Sequence, residues 1–300
     1  MFQACGSVDL GALHRLWGRK RRGQLAVRKQ GGIERPRTEP STPVITDGVD
    51  LAEREHRPEG ILETYQLSKA FQGVQALRQV SLRVDEERIV GLIGPNGSGK
   101  TTLLNVVSGV FTPTAGSVRL DGRSISGWQA HRVASAGIVR TFQNIRLFQH
   151  LTASENVQAS AVAAGGLPRN LARPYARTLL EELGIARHEH AYARTLPYGS
   201  QRRLEIARAL AARPRFLLLD EPTAGMNETE SRELGETLER IRSVRGCGIL
   251  LVEHDLRVIM RFCAYLYVLN EGSLISHGAP VQVRRDPIVI AAYIGEEADV

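Results

Sequence analysis

From Ile61 onward, short apolar runs alternate with longer segments whose apolar residues recur every three or four positions. The runs are RIVGLI (88–93), GIVRT (137–141), FLLLD (216–220), GILLVE (248–253) and YLYVL (265–269). Each is strand-sized, and the near-continuous apolarity predicts strands buried on both faces. Strands alternating with helix-length segments predict one α/β domain with a parallel sheet covered on both sides. After Asn227 the helical period is plain. Leu234, Leu238 and Ile241 share one side, and Asn227 with Glu230 three residues on forms a capping-box start. A second helix is predicted within LPYGSQRRLEIARAL (196–210), with Leu204, Ala207 and Leu210 as its apolar stripe and Arg202, Arg203 and Arg208 on the remaining surface.

Residues 1–60 break this pattern. RLWGRKRRGQLAVRK (15–29) is a basic cluster, and RPRTEPSTP (35–43) is rich in Pro, Thr and Ser. The segment has no apolar core of a secretory signal and is expected to be a disordered basic tail. A basic arm for nucleic acid or lipid headgroups, or a translation start placed too far upstream, are its alternatives.

The chain of 300 residues is 42% hydrophobic and 24% charged, a composition that supports a full core. Its formal charge of +7 suggests an anionic partner without saying which. Three scattered cysteines, Cys5, Cys247 and Cys263, show neither metal-knuckle nor disulfide spacing, which favours a reducing compartment. No apolar run approaches the ~20 residues that span a bilayer, so the chain is expected to be soluble.

The chemistry begins at GPNGSGKT (94–101), which follows a predicted strand and precedes the helical TLLNVVSG. This is G-x-x-x-x-G-K-[ST] in its proper context. Gly94, Gly97 and Gly99 let the backbone turn tightly, so that its N–H groups converge on phosphate oxygens, and the helix start adds its positive dipole end. Lys100 is expected to reach the β- and γ-phosphates, and Thr101 to offer its hydroxyl to Mg²⁺. These residues predict a bound nucleoside triphosphate.

FLLLDE (216–221) reads as a strand ending in two acids. Asp220 is suited to hold Mg²⁺ through water, and Glu221 to orient or deprotonate an attacking water. An N-K-x-D element that would specify guanine is absent, which favours ATP.

Gln143 in RTFQN, then LPYGSQRR, LLLDEPTAG, AGMN and LLVEHD follow in the order typical of ATP-binding-cassette (ABC) ATPases, which residues 61–300 resemble. GIVRTFQNIRLFQHLTASENV (137–157), YGSQRRLEIARAL and the terminal AAYIGE are similar to the ATP-binding subunit of branched-chain amino-acid importers. The resemblance implies a P-loop (RecA-like) parallel sheet, an antiparallel β subdomain and a helical subdomain over about 142–200 that carries the signature motif. It implies that Pro95, Asn96, Ser98 and Thr102 join Gly94, Gly97, Gly99, Lys100 and Thr101 around the nucleotide. It gives Phe71 a stacking role on adenine, Gln143 a contact with Mg²⁺ or the attacking water, and His254 a hydrogen bond to the γ-phosphate. Asn227 takes the place of an aspartate that contacts the opposite subunit.

LPYGSQ stands where the family has L-S-G-G-Q, a helix start that faces the γ-phosphate held by another subunit. Gly199, Ser200 and Gln201 are therefore expected at the nucleotide. The match departs from the pattern at Pro197, Tyr198 and Ser200, and Pro197 lacks both a hydroxyl and an N–H.

The partners implied are two polytopic permease subunits, a second ABC ATPase (a heterodimer favoured, a homodimer possible) and, indirectly, a periplasmic or extracellular solute-binding protein. Nucleic acid is not expected. The implied location is the cytoplasmic face of the inner membrane. The rival readings are an ATPase for urea, amides or lipopolysaccharide, a soluble ABC ATPase acting on ribosomes or DNA, and a cassette that binds ATP without cleaving it. The last would lack Glu221 or His254, and both are present.

Overall fold

The structure is a computed structural model that describes residues 60–297, with side chains described to Tyr293. The expectations for the basic tail lie outside the described residues.

All five apolar runs named above are strands: β3 (Ile89–Ile93), β6 (Ile138–Arg140), β7 (Phe216–Asp220), β8 (Gly248–Val252) and β9 (Tyr265–Asn270). With β10 (Ser273–Gly278) they form one sheet in the order β10-β9-β3-β8-β7-β6. Every pairing among the five is parallel, and β10 closes one edge antiparallel to β9. Every residue of β3, β7 and β8 is buried, as expected for strands with cover on both faces.

A second sheet holds β1 (Ile61–Phe71), β2 (Val74–Asp85), β4 (Ala115–Leu120) and β5 (Arg123–Ser124) in the antiparallel order β2-β1-β4-β5. Here burial alternates along β2, one face in and one face out. Helix α1 (Lys100–Val107) follows β3. Its Leu103, Leu104, Val106 and Val107 join Leu77, Val80 and Leu82 of β2 and Leu92, Leu218 and Leu250 of the parallel sheet in one core. That packing fixes the loop between β3 and α1.

Helix α2 (Ala130–Ser135) precedes β6. Between β6 and β7 lie α3 (Ala153–Ala163), α4 (Arg169–Glu182) and α5 (Tyr198–Ala211). Helix α3 opens with a capping box formed by Thr152 and Glu155. Helix α6 (Glu228–Arg245) links β7 to β8 and opens with the expected box of Asn227 and Glu230. Helices α7 (Leu256–Phe262), α8 (Pro280–Val283) and α9 (Pro287–Glu297) are the last among the described residues. No helix among the described residues is long and apolar enough to cross a membrane.

Helix α5 differs from its expectation. Leu204, Ala207 and Leu210 are buried as predicted, but so are Ile206, Ala209 and Ala211, and so is Arg202, with no exposed surface at all. The helix is enclosed on most sides, so it has no continuous basic face. Arg203 bonds the Leu183 carbonyl at 3.2 Å and Glu233 at 3.0 Å, and Arg208 lies over the Phe148 ring at 5.3 Å. The three arginines are engaged within the fold.

Candidate functional site

Parallel strands deliver their C-terminal ends to one edge of the sheet, where open α/β sheets place their ligand crevices. Here β3, β8, β7 and β6 are consecutive neighbours. Their ends lead to Gly94, Glu253–His254, Glu221 and Gln143, so four segments far apart in sequence meet along one rim.

The loop after β3 is shaped by glycine. Gly94, Gly97 and Gly99 all take positive φ, and Gly99 (φ 104°) caps α1 with no side-chain acceptor on the helix's first N–H groups. A Cβ on Gly94 would run into the Leu269 carbonyl, so β9 sits directly against the loop. Pro95 and Ser98 are buried, whereas Asn96, Gly97 and Thr101 are exposed and Thr102 is half-buried. Lys100 lies under the loop and donates from Nζ to the Gly94 and Pro95 carbonyls, both at 2.7 Å. Phe71 is exposed at the end of β1 and meets Phe111 edge-on, with ring centroids 5.1 Å apart. Its solvent-facing ring is not part of the core.

Glu221 is the meeting point. Its Oε1 lies 2.7 Å from His254 Nε2, and its Oε2 accepts from Gln143 Nε2 at 3.3 Å. Its φ of 49° is left-handed, a conformation that costs a non-glycine residue about 1–2 kcal/mol. The structure thus brings the three residues expected to serve hydrolysis into direct contact. Asp220, one residue earlier, is fully buried. Burial pushes its carboxyl above the usual range, against the pull of Arg140, while neighbouring Glu221 adds to the rise. Arg140 donates to Asp220 Oδ2 at 3.2 Å, and Asp220 Oδ1 is buried without a hydrogen-bond partner. An orphaned carboxylate oxygen at this position, with the exposed Thr101 hydroxyl on the first turn of α1, is a donor set that fits a hard cation.

The signature segment behaves less simply. Helix α5 begins at Tyr198 with Pro197 as its N-cap and no side-chain cap. Ser200 is buried, and Gln201 turns back to donate to the Leu196 carbonyl at 2.9 Å. The outward face is made by Pro197, Tyr198 and the backbone around Gly199. Tyr198 packs on Gly225 in the loop after Glu221. Asn227 spends its side-chain oxygen on the Glu230 N–H at 2.9 Å.

Four buried ionic groups around this rim escaped sequence reasoning: Arg140, Arg202, Glu205 and Glu253. Glu253 Oε1 accepts both the N–H and the hydroxyl of Thr223 at 2.7 Å, tying the loop after Glu221 to the segment after β8 that carries His254. Burial raises its carboxyl, with the Thr223 bonds opposing. Arg140 had a visible signal, since an arginine inside an apolar strand requires a buried acid. Arg202 and Glu205 had only their spacing of three along a helix.

The ABC transporter family matches residues 77–224, and the family described as branched-chain amino acid ATP-binding cassette transporter matches residues 273–299. The chain is similar to the high-affinity branched-chain amino acid transport ATP-binding protein BraF of Pseudomonas aeruginosa, with 41% identity over 79% of this chain and 98% of that protein. Among solved structures it resembles a nucleotide-free ATP-binding cassette from an ABC transporter (TM-score 0.72, 30% identity, 79% of this chain and 99% of that one). It also resembles a dimeric post-hydrolysis state of the cassette MJ0796 bound to ADP and phosphate (TM-score 0.67, 26% identity, 73% and 98%).

Proposed function

The chain belongs to the ATP-binding subunits of ABC transporters, and from that premise we propose that it energises import of branched-chain amino acids. The observation that carries the catalytic part is the convergence of Gln143 and His254 on the Glu221 carboxylate, beside buried Asp220. The solute rests on BraF, 98% of which aligns with this chain, and on the match of residues 273–299 to the branched-chain family.

In this reading Lys100 turns from the Gly94 and Pro95 carbonyls to the β- and γ-phosphates of ATP, which the loop N–H groups and the start of α1 also hold. Phe71 takes the adenine ring. Glu221 orients the attacking water and draws its proton, and His254 hydrogen-bonds the γ-phosphate oxygens as negative charge builds there. Gln143 senses the same water. Thr101 and Asp220 hold Mg²⁺, which supplies charge neutralisation on the phosphates when bound.

The site is completed by a second cassette whose α5 start faces this chain's ATP. Closure of the pair on ATP and release after hydrolysis drive two membrane permeases through the segment between Gln143 and α5. The chain works at the cytoplasmic face of the membrane, next to a solute-binding protein it does not touch. The paired form of MJ0796 supports a two-cassette particle. A heterodimer is the form we favour.

The test uses tagged Glu221→Gln chain held with ATP and Mg²⁺. It should bind ATP, lose turnover by ~100-fold or more, and retrieve two polytopic permeases with a second cassette from detergent-solubilised membranes. Near wild-type hydrolysis would remove Glu221 from its role. Retrieval of ribosomes or DNA would overturn the transport reading.

A further inference from the structure

Among the described residues, Arg202 is the largest side chain with no exposed surface. It sits one turn into α5, the helix that carries the signature motif. Its Nη1 donates to the Phe142 carbonyl at 2.7 Å and to Glu205 Oε2 at 2.8 Å. Its Nη2 donates to the Gln143 carbonyl at 2.9 Å and to the Glu221 carbonyl at 3.1 Å. Glu205, one turn further on, uses its other oxygen to accept from the N–H of Arg146 at 3.3 Å and of Phe142 at 3.5 Å. One buried ion pair thus grips the Gln143 segment by its carbonyls and its N–H groups. It also holds the backbone of Glu221.

The attraction between the two charges does not by itself account for this arrangement. Each ion loses several kcal/mol of hydration on burial, and an apolar pair of equal volume commonly does as well or better. The guanidinium fork instead suits three carbonyls that converge from different directions, which a lysine ammonium on its flexible stem matches poorly. The carbonyls belong to the two segments that carry Gln143 and Glu221. Glu221 also holds a left-handed φ of 49°, and the carbonyl it turns inward meets Arg202.

We propose that Arg202 is a positioning residue for hydrolysis: from the signature helix it fixes the backbones of Gln143 and Glu221, and so sets the aim of both side chains at this subunit's own nucleotide. Resting on the proposed function, this has a consequence for the pair of sites. The start of α5 faces the partner's ATP, and Arg202 on the same helix governs this chain's catalytic carboxylate. A shift of α5 at one site is therefore felt at the other, and by linkage the coupling in binding is reciprocal.

The experiment compares the assembled transporter carrying wild-type chain, Arg202→Met, Arg202→Met with Glu205→Leu, and Arg202→Lys, reading melting temperature, KM for ATP and kcat. Arg202→Met alone leaves Glu205 buried and unpaired and should lose both stability and turnover. The double substitution removes both charges and should recover part of the loss in melting temperature, the remainder being the cost of leaving the Phe142, Gln143 and Glu221 carbonyls without this donor. Its kcat should stay down by ~10-fold or more with KM within about twofold, because the Glu221 and Gln143 carbonyls have lost their anchor. Arg202→Lys should fold and give an intermediate kcat, and it carries the test if the double variant does not fold. Wild-type kcat in whichever of these two variants folds would overturn the proposal, leaving Arg202 a packing residue. Failure of the wild-type transporter to hydrolyse ATP would instead overturn the functional reading itself.

Discussion

Two glycines mark the two ends of the nucleotide machinery, and they are glycines for different reasons. Gly94 has φ 148°, and a Cβ there would run into the Leu269 carbonyl and come within 2.9 Å of Ser98 Oγ. The chain's own fold demands glycine at that position. Gly199 has no left-handed φ, and an added Cβ would meet nothing nearer than Glu230 Oε1 at 3.6 Å, an ordinary contact. Within this chain Gly199 has room for a side chain. Glycine in the phosphate loop is thus dictated by the chain's own fold, whereas nothing within the chain dictates glycine at the start of α5.

The helix ends divide less cleanly. Helices α3 and α6 close their first turns with their own capping boxes, Thr152 with Glu155 and Asn227 with Glu230. Helices α1 and α5 start without a side-chain cap, on Gly99 and Pro197, but so do α2 on Gln129 and α4 on Pro168. An uncapped start therefore does not by itself mark a nucleotide contact; in the proposed function α1 and α5 turn their first N–H groups and dipole ends to ATP phosphates, one from each cassette.

The largest effect that sharpens this contrast is expected from Gly94→Ala. The backbone there is essentially glycine-only, so the substitution should cost ~2 kcal/mol or more and abolish ATP binding by the isolated chain. Calorimetric melting and nucleotide titration check it, and a wild-type melting point with intact binding would break the claim that the loop is internally determined. A smaller effect is expected from Pro197→Ser at the other end. Serine restores a hydroxyl and an N–H at the start of α5, and a helix cap of this kind is worth ~1 kcal/mol. Steady-state hydrolysis by the assembled transporter should rise by a few-fold, or its apparent ATP affinity should tighten. No change in either would mean that Pro197 does not weaken the signature.

Legibility in the sequence followed the range of the interactions. The five parallel strands could be read because each is a contiguous apolar run, as could the capping box at Asn227, which spans four residues. The phosphate loop could be read for the same reason. The clamp around Glu221 could not be read from local pattern. Arg140 and Asp220 are 80 positions apart, Arg202 and the Gln143 carbonyl 59. A helix-wheel reading placed Arg202 outside because it weighs only the polarity of a side chain, and burial of an arginine depends on acceptors that other segments bring. The antiparallel sheet followed from family resemblance, since the alternation along β2 slips at Arg78–Gln79, where two successive residues are exposed and Gln79 takes a φ of 51°.

The proposal that glycine at the start of α5 answers to a partner's nucleotide is tested most directly at Gly199. In the assembled two-cassette transporter, Gly199→Val is predicted to leave the melting temperature and ATP binding at this chain's own phosphate loop unchanged, because the fold has space at that position. ATP-driven closure of the two cassettes, followed by their cross-linking, and steady-state hydrolysis should both be lost. Wild-type closure and hydrolysis with a valine at residue 199 would contradict the account, since nothing would then approach this helix from outside the chain.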